Sequence, residues 1–193
     1  MKVAGIQRNS FVDWPGKISF VVFLGGCNFT CPHCHNNHIL CSTSNTISIK
    51  DVLEEIKQQI GFIDGVVISG GEPTVHPNLH DIILQIRKLE LPVKLDTNGS
   101  NFEMLQSLVD GKLVDFVAMD IKAPLDRYVE LGFVKSKDIT KQVEKSIEFL
   151  KSNKVPFMFR TTPIPELMTE DLDAIQKIVQ GHAWRKNDFT PQI

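Results

Sequence analysis

Three cysteines around residue 30 have the type and spacing of metal or cluster ligands. Cys27, Cys31 and Cys34 form a Cys-x3-Cys-x2-Cys pattern within residues 25–41, GGCNFTCPHCHNNHILC, which also contain Cys41, the last of the four cysteines in the chain. The N-terminus MKVAGIQRNSFVDW has no signal-peptide form. In a chain without such a signal, clustered cysteines favour metal or redox chemistry over structural disulfides.

The cysteine trio fits two kinds of site. A structural zinc ion usually takes four ligands, so one of three nearby histidines, His33, His35 or His38, would have to complete it. An iron–sulfur cluster held by three thiolates would keep one iron open, and an open position on a catalytic metal can bind a substrate. In that case Cys41 is either a fourth ligand or, as we expect, a spare thiol.

Polar and glycine residues also follow four later apolar segments. The polar stretches, each with the end of its apolar segment where that is included, are SGGEPT (69–74), LDTNGS (95–100), MDIKAP (119–124) and FRTTPIPE (159–166). Connecting loops are often polar, but in parallel sheets these loops meet at the carboxyl ends of the strands, where ligands bind. The candidate site residues are Gly70, Gly71, Glu72, Asp96, Thr97, Asn98, Asp120, Lys122 and Arg160.

Several of these candidates have a physical reason to bind a ligand. Glycines such as Gly70 let the backbone approach a ligand closely. Asp120 and Lys122 are two residues apart at a strand end, so both side chains point to the same side. The planar guanidinium of Arg160 suits a carboxylate, although a long charged side chain can also snorkel to solvent. Asp96 ends an apolar strand, where a carboxylate needs a partner, and a monovalent cation shared with Asp120 would supply one.

Strand-like and helix-like segments alternate between these loops. Expected strands cover 18–24, 64–69, 92–99, 113–122 and 155–165, and expected helices cover 48–60, 79–89, 101–110, 138–153 and 169–181. Repeated β-then-α units imply a parallel sheet, because parallel strands need crossover connections. About five or six units are too few for a closed eight-fold barrel, which leaves a doubly wound sheet or a partial barrel. We expect one domain over residues 1–193, with residues 182–193 as a loose or truncated tail.

Composition and charge narrow the class of protein. Hydrophobic residues make up 42% and charged residues 23% of the chain, and the formal net charge is -2. These values are ordinary for a globular protein and give no reason to expect nucleic-acid binding. The longest apolar stretch, ISFVVFL (18–24), is far too short to span a bilayer. We therefore expect a cytoplasmic protein that binds neither nucleic acid nor membrane.

The motifs together resemble the radical S-adenosylmethionine (SAM) superfamily, and the resemblance covers most of the chain. It is carried by the cysteine trio after the first expected strand and by Gly-Gly-Glu after the second. The segment SFVDWPGKISFVVFLGGCNFTCPHCHNN (10–37) is similar to the N-terminal signature of the glycyl radical enzyme activating enzymes. LDTNGS, MDIKAP and FRTTPIPE most resemble the activating proteins of anaerobic ribonucleoside-triphosphate reductases.

The resemblance implies an α/β fold, a partial (β/α)6 barrel of the radical SAM type, and two cofactors. A [4Fe–4S] cluster would be bound by Cys27, Cys31 and Cys34, with S-adenosylmethionine on its fourth iron. One electron from the cluster would cleave S-adenosylmethionine to methionine and a 5′-deoxyadenosyl radical, which takes a hydrogen atom from a glycine of a partner. The implied partner is anaerobic ribonucleoside-triphosphate reductase or another glycyl radical enzyme. A reduced flavodoxin or ferredoxin would supply the electron.

The remaining candidates would surround S-adenosylmethionine and the partner's glycine. The resemblance places Gly70, Gly71 and Glu72 at the methionine ammonium. It places Asp120, Lys122 and Arg160 at the methionine carboxylate. Asp96, Thr97 and Asn98 would form the neighbouring wall. His33 stands where the family usually has an aromatic residue that covers the adenine, and His35 would help there. Asp13 would hold the incoming glycine loop, unless it is an ordinary turn aspartate.

Two other functions remain open at the level of the sequence. A radical enzyme that acts on a small molecule or a modified nucleoside would share every cofactor residue, and only the resemblance of VDWPG (12–16) argues against it. A non-enzymatic zinc-binding module would use the cysteines but would leave the Gly-Gly-Glu and Asp-x-Lys motifs without a role.

Overall fold

The fold is built on one open sheet, described for residues 3–34, 36–37 and 46–190 in a computed structural model. In these ranges seven strands lie in the order of the chain. They are β1 (Val3–Ser10), β2 (Ser19–Leu24), β3 (Gly65–Gly70), β4 (Val93–Thr97), β5 (Phe116–Asp120), β6 (Phe157–Thr161) and β7 (Trp184–Lys186). β1 is antiparallel to β2, and every later pair is parallel. The expected partial barrel of parallel strands is confirmed.

Helices follow most of the parallel strands and cover the outer face of the sheet. In the described residues they are α1 (Ile49–Gln58), α2 (Leu79–Arg87), α3 (Phe102–Asp110), α4 (Lys137–Ser152) and α5 (Thr169–Val179). Side-chain caps fix where some of them begin, because the first backbone N–H groups of a helix have no partner inside it. Ser48 accepts a hydrogen bond from the N–H of Asp51, and Asn101 accepts one from the N–H of Met104. All five expected helices are present, with ends shifted by at most a few residues.

The two faces of the sheet have different contents because strand side chains alternate. On the outer face, Val66 and Ile68 belong to the main core together with Ile83 of α2. On the inner face, Val67 packs in a small cluster with Trp14. Trp14 is 4% exposed and lies against the first residues of β3. This cluster fills the inner face near the amino ends of the strands and leaves the carboxyl ends for polar residues.

Both outermost strands differ from the sequence expectation. β1 carries the mixed sequence VAGIQRNS, which has no regular alternation and is not among the expected strands. The tail expected to be loose contains β7, whose Trp184 donates its indole N–H to Thr161 Oγ1 over 3.1 Å. The backbone N–H of Asn187 then donates to the Thr161 carbonyl over 2.8 Å. Residues 183–187 are therefore attached to β6. No helix in the described ranges has the length and apolar character needed to cross a bilayer.

Candidate active site

A cavity of about 420 Å³ lies at the carboxyl ends of the parallel strands. It gathers residues that are widely separated along the chain, because each strand delivers its following loop to the same edge. The predicted site residues that line it are Asp13, Cys27, Cys31, His33, Cys34, Gly70, Gly71, Glu72, Asp96, Thr97, Asn98, Asp120, Lys122 and Arg160. His35 and Cys41 lie outside the described residues. The structure thus brings together every predicted site residue that it describes.

The cysteine trio lies on the loop that follows β2. Cys27, Cys31 and Cys34 are all partly buried thiols. Burial raises the pKa of Cys27 to about 11, and burial also raises the pKa of Cys31. Metal ligation requires thiolates, so binding of a cluster has to displace these protons. Sites of this kind release protons when they are loaded.

Donors and a positive charge face the sulfur atoms of this loop. The backbone N–H of Phe29 donates to Cys27 Sγ over 3.4 Å, and the amide of Asn98 approaches the same sulfur at 3.9 Å. The charge of Lys122 partly offsets the effect of burial on the pKa of Cys31. Hydrogen bonds and charges at the sulfurs stabilise bound thiolates and set the reduction potential of iron–sulfur clusters. The donor set therefore fits a cluster.

The spacing of the ligand side chains bears on the choice between zinc and a cluster. Within the described ranges, no three His, Cys, Asp or Glu side chains converge on one ion position. A zinc ion needs all its ligands about 2.0–2.3 Å from a single point. An iron–sulfur cluster is larger and takes its thiolates on different irons. Three thiols that line one cavity without converging on one point, as the described residues show, fit a cluster.

A row of five charged side chains crosses the ends of β4, β5 and β6. Lys94 donates to Asp96 Oδ1, and Asp96 Oδ2 lies 3.0 Å from Arg160 Nη1. Arg160 Nε donates to Asp120 Oδ1 over 2.8 Å, and Asp120 Oδ2 accepts from Lys122 Nζ over 2.9 Å. We call these five residues the ion chain. Three cations alternate with two carboxylates, so the ion chain carries one surplus positive charge.

The ion chain changes the expectation for Asp96 and Asp120. Burial alone raises the pKa of Asp120, but the charges of Arg160 and Lys122 outweigh it and lower this pKa to about 2. The guanidinium of Arg160 lies between the two carboxylates that are expected to share a monovalent cation. Its planar fork reaches one oxygen of each. Both aspartates therefore find their counter-ions within the protein.

Glu72 connects the Gly-Gly-Glu segment to the end of β4. Its side chain is fully enclosed, at 1% exposure, and accepts hydrogen bonds from Thr97 Oγ1 over 2.7 Å and from the N–H of Asn98 over 2.6 Å. Burial raises the pKa of Glu72, and these hydrogen bonds offset only part of that rise. The preceding Gly70 has a φ of +121°, and a Cβ there would lie 2.3 Å from the carbonyl oxygen of Leu24. Only glycine fits at this position, where the backbones of β2 and β3 lie side by side.

His33 and Asp13 both line the cavity. His33 adopts a left-handed backbone with φ of 57°, and its Nε2 lies 2.9 Å from Glu166 Oε1. The ring also meets Phe189 edge to face, with centroids 5.4 Å apart. Asp13 accepts a hydrogen bond from the hydroxyl of Ser10. The His33 ring is therefore fixed by two contacts, as a planar wall for a ligand must be.

Sequence reasoning missed several residues at the site. The largest omission is Lys94, which is 1% exposed and lies beneath Asp96. Its signal was present, because residues 94 and 96 share a face of a strand and a lysine inside an apolar strand needs a counter-ion. Ser69, which donates to Asp96 Oδ2 over 3.2 Å, and Asn36, which donates to the Gly70 carbonyl over 2.8 Å, lie inside the quoted motifs but were not among the candidate residues.

Comparisons with known proteins agree with this geometry. The family model of the Radical SAM superfamily matches residues 21–178. A candidate glycyl-radical enzyme activating enzyme from Methanocaldococcus jannaschii is 38% identical over 184 residues, which cover 92% of this chain and 75% of that protein. A 7-carboxy-7-deazaguanine synthase from Aquifex aeolicus is 25% identical over 189 residues, covering 86% and 84%.

A solved structure shares the fold. The native anSMEcpe with bound AdoMet superposes with a TM-score of 0.62 at 17% identity, covering 86% of this chain and 49% of that one. Radical SAM enzymes use a [4Fe–4S] cluster and S-adenosylmethionine, so these are the cofactors of this enzyme. The family model covers most of the chain, and the M. jannaschii relative is similar over most of its own length. This chain therefore belongs to the radical SAM superfamily and, within it, to the glycyl-radical enzyme activating enzymes.

Proposed function

We propose that this enzyme places a radical on a glycine of anaerobic ribonucleoside-triphosphate reductase, its expected partner. S-adenosylmethionine would be consumed to methionine and 5′-deoxyadenosine, and the hydrogen atom gained by 5′-deoxyadenosine would come from the glycine. The observation that carries the radical chemistry is that the cysteine trio, Asp13 and four members of the ion chain line one cavity. The choice of partner is supported by the resemblance of LDTNGS, MDIKAP and FRTTPIPE to the activating proteins of these reductases. A reduced flavodoxin or ferredoxin would supply the electron, and a cytoplasmic setting would keep the thiols reduced.

Cys27, Cys31 and Cys34 would hold the cluster, as their donors and spacing support. When bound, the cluster supplies the electron that cleaves the C5′–S bond of S-adenosylmethionine and so yields the 5′-deoxyadenosyl radical. The protein would set the reduction potential of the cluster. The N–H of Phe29 and the amide of Asn98 lie next to Cys27 Sγ, and such donors stabilise the negative charge of the sulfur atoms.

Other residues of the cavity would position S-adenosylmethionine. Lys122, at one end of the ion chain, and Arg160, at its centre, both line the cavity, where the surplus positive charge of the chain would attract the methionine carboxylate. The backbone of Gly70 and Gly71 would face the ammonium together with Glu72. His33, with its ring held by Glu166, would contact the adenine, and His35 would assist it.

Asp13 would bind the glycine loop of the partner. It lines the same cavity as the cysteine trio, and a carboxylate accepts backbone N–H groups well. The N–H groups that flank a glycine are exposed for such a contact, because glycine has no side chain to cover them. Asp13 would therefore fix the glycine α-carbon where its hydrogen can be removed.

The test is an anaerobic activation assay. The enzyme is loaded with iron and sulfide, reduced, and mixed with S-adenosylmethionine and the reductase, and electron paramagnetic resonance reads the glycyl radical. We expect the radical to form together with 5′-deoxyadenosine. We expect both to vanish in Cys31→Ala and to persist in the matched control Cys41→Ala. Production of 5′-deoxyadenosine without a radical on the reductase would contradict the partner assignment and leave the cofactor assignment intact.

One observation supports a second candidate function, action on a small molecule or modified nucleoside. The similarity to 7-carboxy-7-deazaguanine synthase extends over nearly the full length of both proteins. The same assay distinguishes the two functions if Asp13→Asn is included. A partner loop held by Asp13 predicts a loss of the glycyl radical in this variant with little change in uncoupled 5′-deoxyadenosine formation.

A further inference from the structure

We propose that Lys94 is a positioning residue that serves as a built-in cation for the S-adenosylmethionine site, so that binding requires no monovalent metal ion. The inference rests on the proposed use of Lys122 and Arg160 to bind the methionine carboxylate. It goes beyond that role because Lys94 does not line the cavity and has no part in the predicted motifs.

The surroundings of Lys94 direct its charge to one place. In the parallel register it lies beside Val67 of β3 and Phe116 of β5, and both of these belong to the apolar Trp14 cluster on the inner face. The stem of the lysine is thus enclosed in an apolar layer, and its side chain is 1% exposed. A lysine is almost never buried so completely without a paired charge. Among the described residues, that pair is made with Asp96.

The ion chain shows what this pairing achieves. Asp96 uses Oδ1 for Lys94 and Oδ2 for Arg160. Because the ammonium of Lys94 already neutralises the carboxylate of Asp96, Asp96 does not neutralise the positive charge of Arg160. Asp120 then takes one positive charge from the pair of Arg160 and Lys122, and one positive charge is left at the cavity wall. An incoming carboxylate finds a site that is already assembled and cationic.

Without Lys94 the balance changes. Two cations would face two carboxylates, and the wall would carry no surplus charge to attract the methionine carboxylate. Asp96 would keep an oxygen atom without its counter-ion, and carboxylate oxygens are the ligands preferred by hard cations. A monovalent metal ion from solution could then restore the missing charge. With Lys94 in place, the same ion would be repelled by an ammonium already bound to that oxygen.

The experiment measures S-adenosylmethionine binding in the absence of a reductant, so that no turnover occurs. Cluster-loaded protein is titrated calorimetrically with S-adenosylmethionine under argon in sodium, potassium or choline chloride at equal ionic strength. The wild type should bind equally in all three salts. Lys94→Met should bind about tenfold more weakly in choline, within the usual range of coupling between charged sites, and should recover in sodium or potassium. Lys57→Met, at an exposed lysine of α1, is the matched control and should behave as the wild type.

A second readout follows the metal ion itself. Sodium-23 line broadening should appear with Lys94→Met and should be absent with the wild type and with Lys57→Met. Dependence of the wild type on sodium or potassium would overturn the proposal, and so would unchanged binding by Lys94→Met in choline. If the wild type binds no S-adenosylmethionine in any salt although its cluster is loaded, the assignment of the carboxylate site fails instead.

The single variant leaves Asp96 buried and half paired, which can prevent folding. The double variant Lys94→Met/Asp96→Asn removes one charge of each sign and keeps the surplus of the wall. It should fold and bind S-adenosylmethionine with no preference among the three salts. A double variant that requires sodium or potassium would show that Asp96 is not the anchor of the cation, which would overturn the proposal even where the single variant cannot be purified.

Discussion

Asp120→Asn is expected to lower the free energy of unfolding by about 2–3 kcal/mol at neutral pH. The folded protein lowers the pKa of Asp120 to about 2, because the charges of Arg160 and Lys122 outweigh the effect of burial. The ordinary value for this group is 3.8, so folding shifts the pKa by roughly 2 units, each equivalent to about 1.4 kcal/mol. The side chain is only 24% exposed, so solvent does little to screen these charges.

The sign of the shift also fixes how the effect depends on pH. The folded pKa lies below the unfolded one, so the carboxylate stabilises the protein fully above about pH 4. This stabilisation is lost as the pH falls from about 4 to about 2, where the folded protein also takes up the proton. The asparagine variant lacks the charge at every pH. The difference in stability between wild type and variant should therefore shrink over this range.

Urea unfolding of the cluster-free protein, with its thiols reduced, measures this difference between pH 7 and pH 2.5. The difference between the two proteins is used because other carboxylates titrate in the same range and cancel in it. Asp110→Asn is the matched control, since Asp110 is exposed at the end of α3. Its effect should stay within about 0.5 kcal/mol. A cost for Asp120→Asn that is the same at pH 7 and pH 2.5 would refute the assignment of the ion chain as the source of the stabilisation.

Three further substitutions test the architecture around the site by urea unfolding. Gly70→Ala should destabilise the protein by more than about 2 kcal/mol, because its Cβ would lie 2.3 Å from the carbonyl oxygen of Leu24. A cost below about 0.5 kcal/mol, which is typical of neutral surface substitutions, would show that β2 and β3 can separate there. Trp14→Ala should cost about 3–5 kcal/mol as an unfilled core site, and a near-neutral result would mean that the inner face is not closed by this ring. Glu72→Gln should cost about 1–3 kcal/mol, because an amide N–H₂ would replace an oxygen that accepts from Thr97 or Asn98; unchanged stability would show that these donors find water instead.

The sequence predicted the central strands and the helices because their patterns are determined locally. β2 reads SFVVFL and β3 reads GVVISG, apolar runs that fit strands buried on both faces. The caps Ser48 and Asn101 mark helix starts by a local hydrogen bond. β1 escaped prediction because an edge strand that pairs on one side needs no such pattern, and β7 because three residues are too few to show one.

Site residues were predictable from the sequence where a local motif marks them, without knowledge of their partners in the fold. The cysteine spacing, Gly-Gly-Glu and Asp-x-Lys are all visible in a linear sequence. The partners of those residues are set by the alignment of strands. That Arg160 bridges Asp96 and Asp120 depends on the register of β4, β5 and β6, which no local pattern determines. In the sequence, Lys94 could be recognised only as a charged residue inside an apolar strand, and the sequence did not show its partner.

The same register explains why one strand edge can hold both a cluster loop and an ion chain. Asp120 lies opposite Arg160, while Asp96 lies opposite Ala118, two residues earlier on β5. The guanidinium therefore reaches its two carboxylates at different heights, and the small side chain of Ala118 leaves that diagonal path clear. A slip of β5 by one residue relative to both β4 and β6 would turn Asp120 to the helix-covered face, away from Arg160 and among apolar side chains, where its charge is costly. The charges at the site thus select the register that assembles it, and strand pairing and ligand binding are specified by the same few residues.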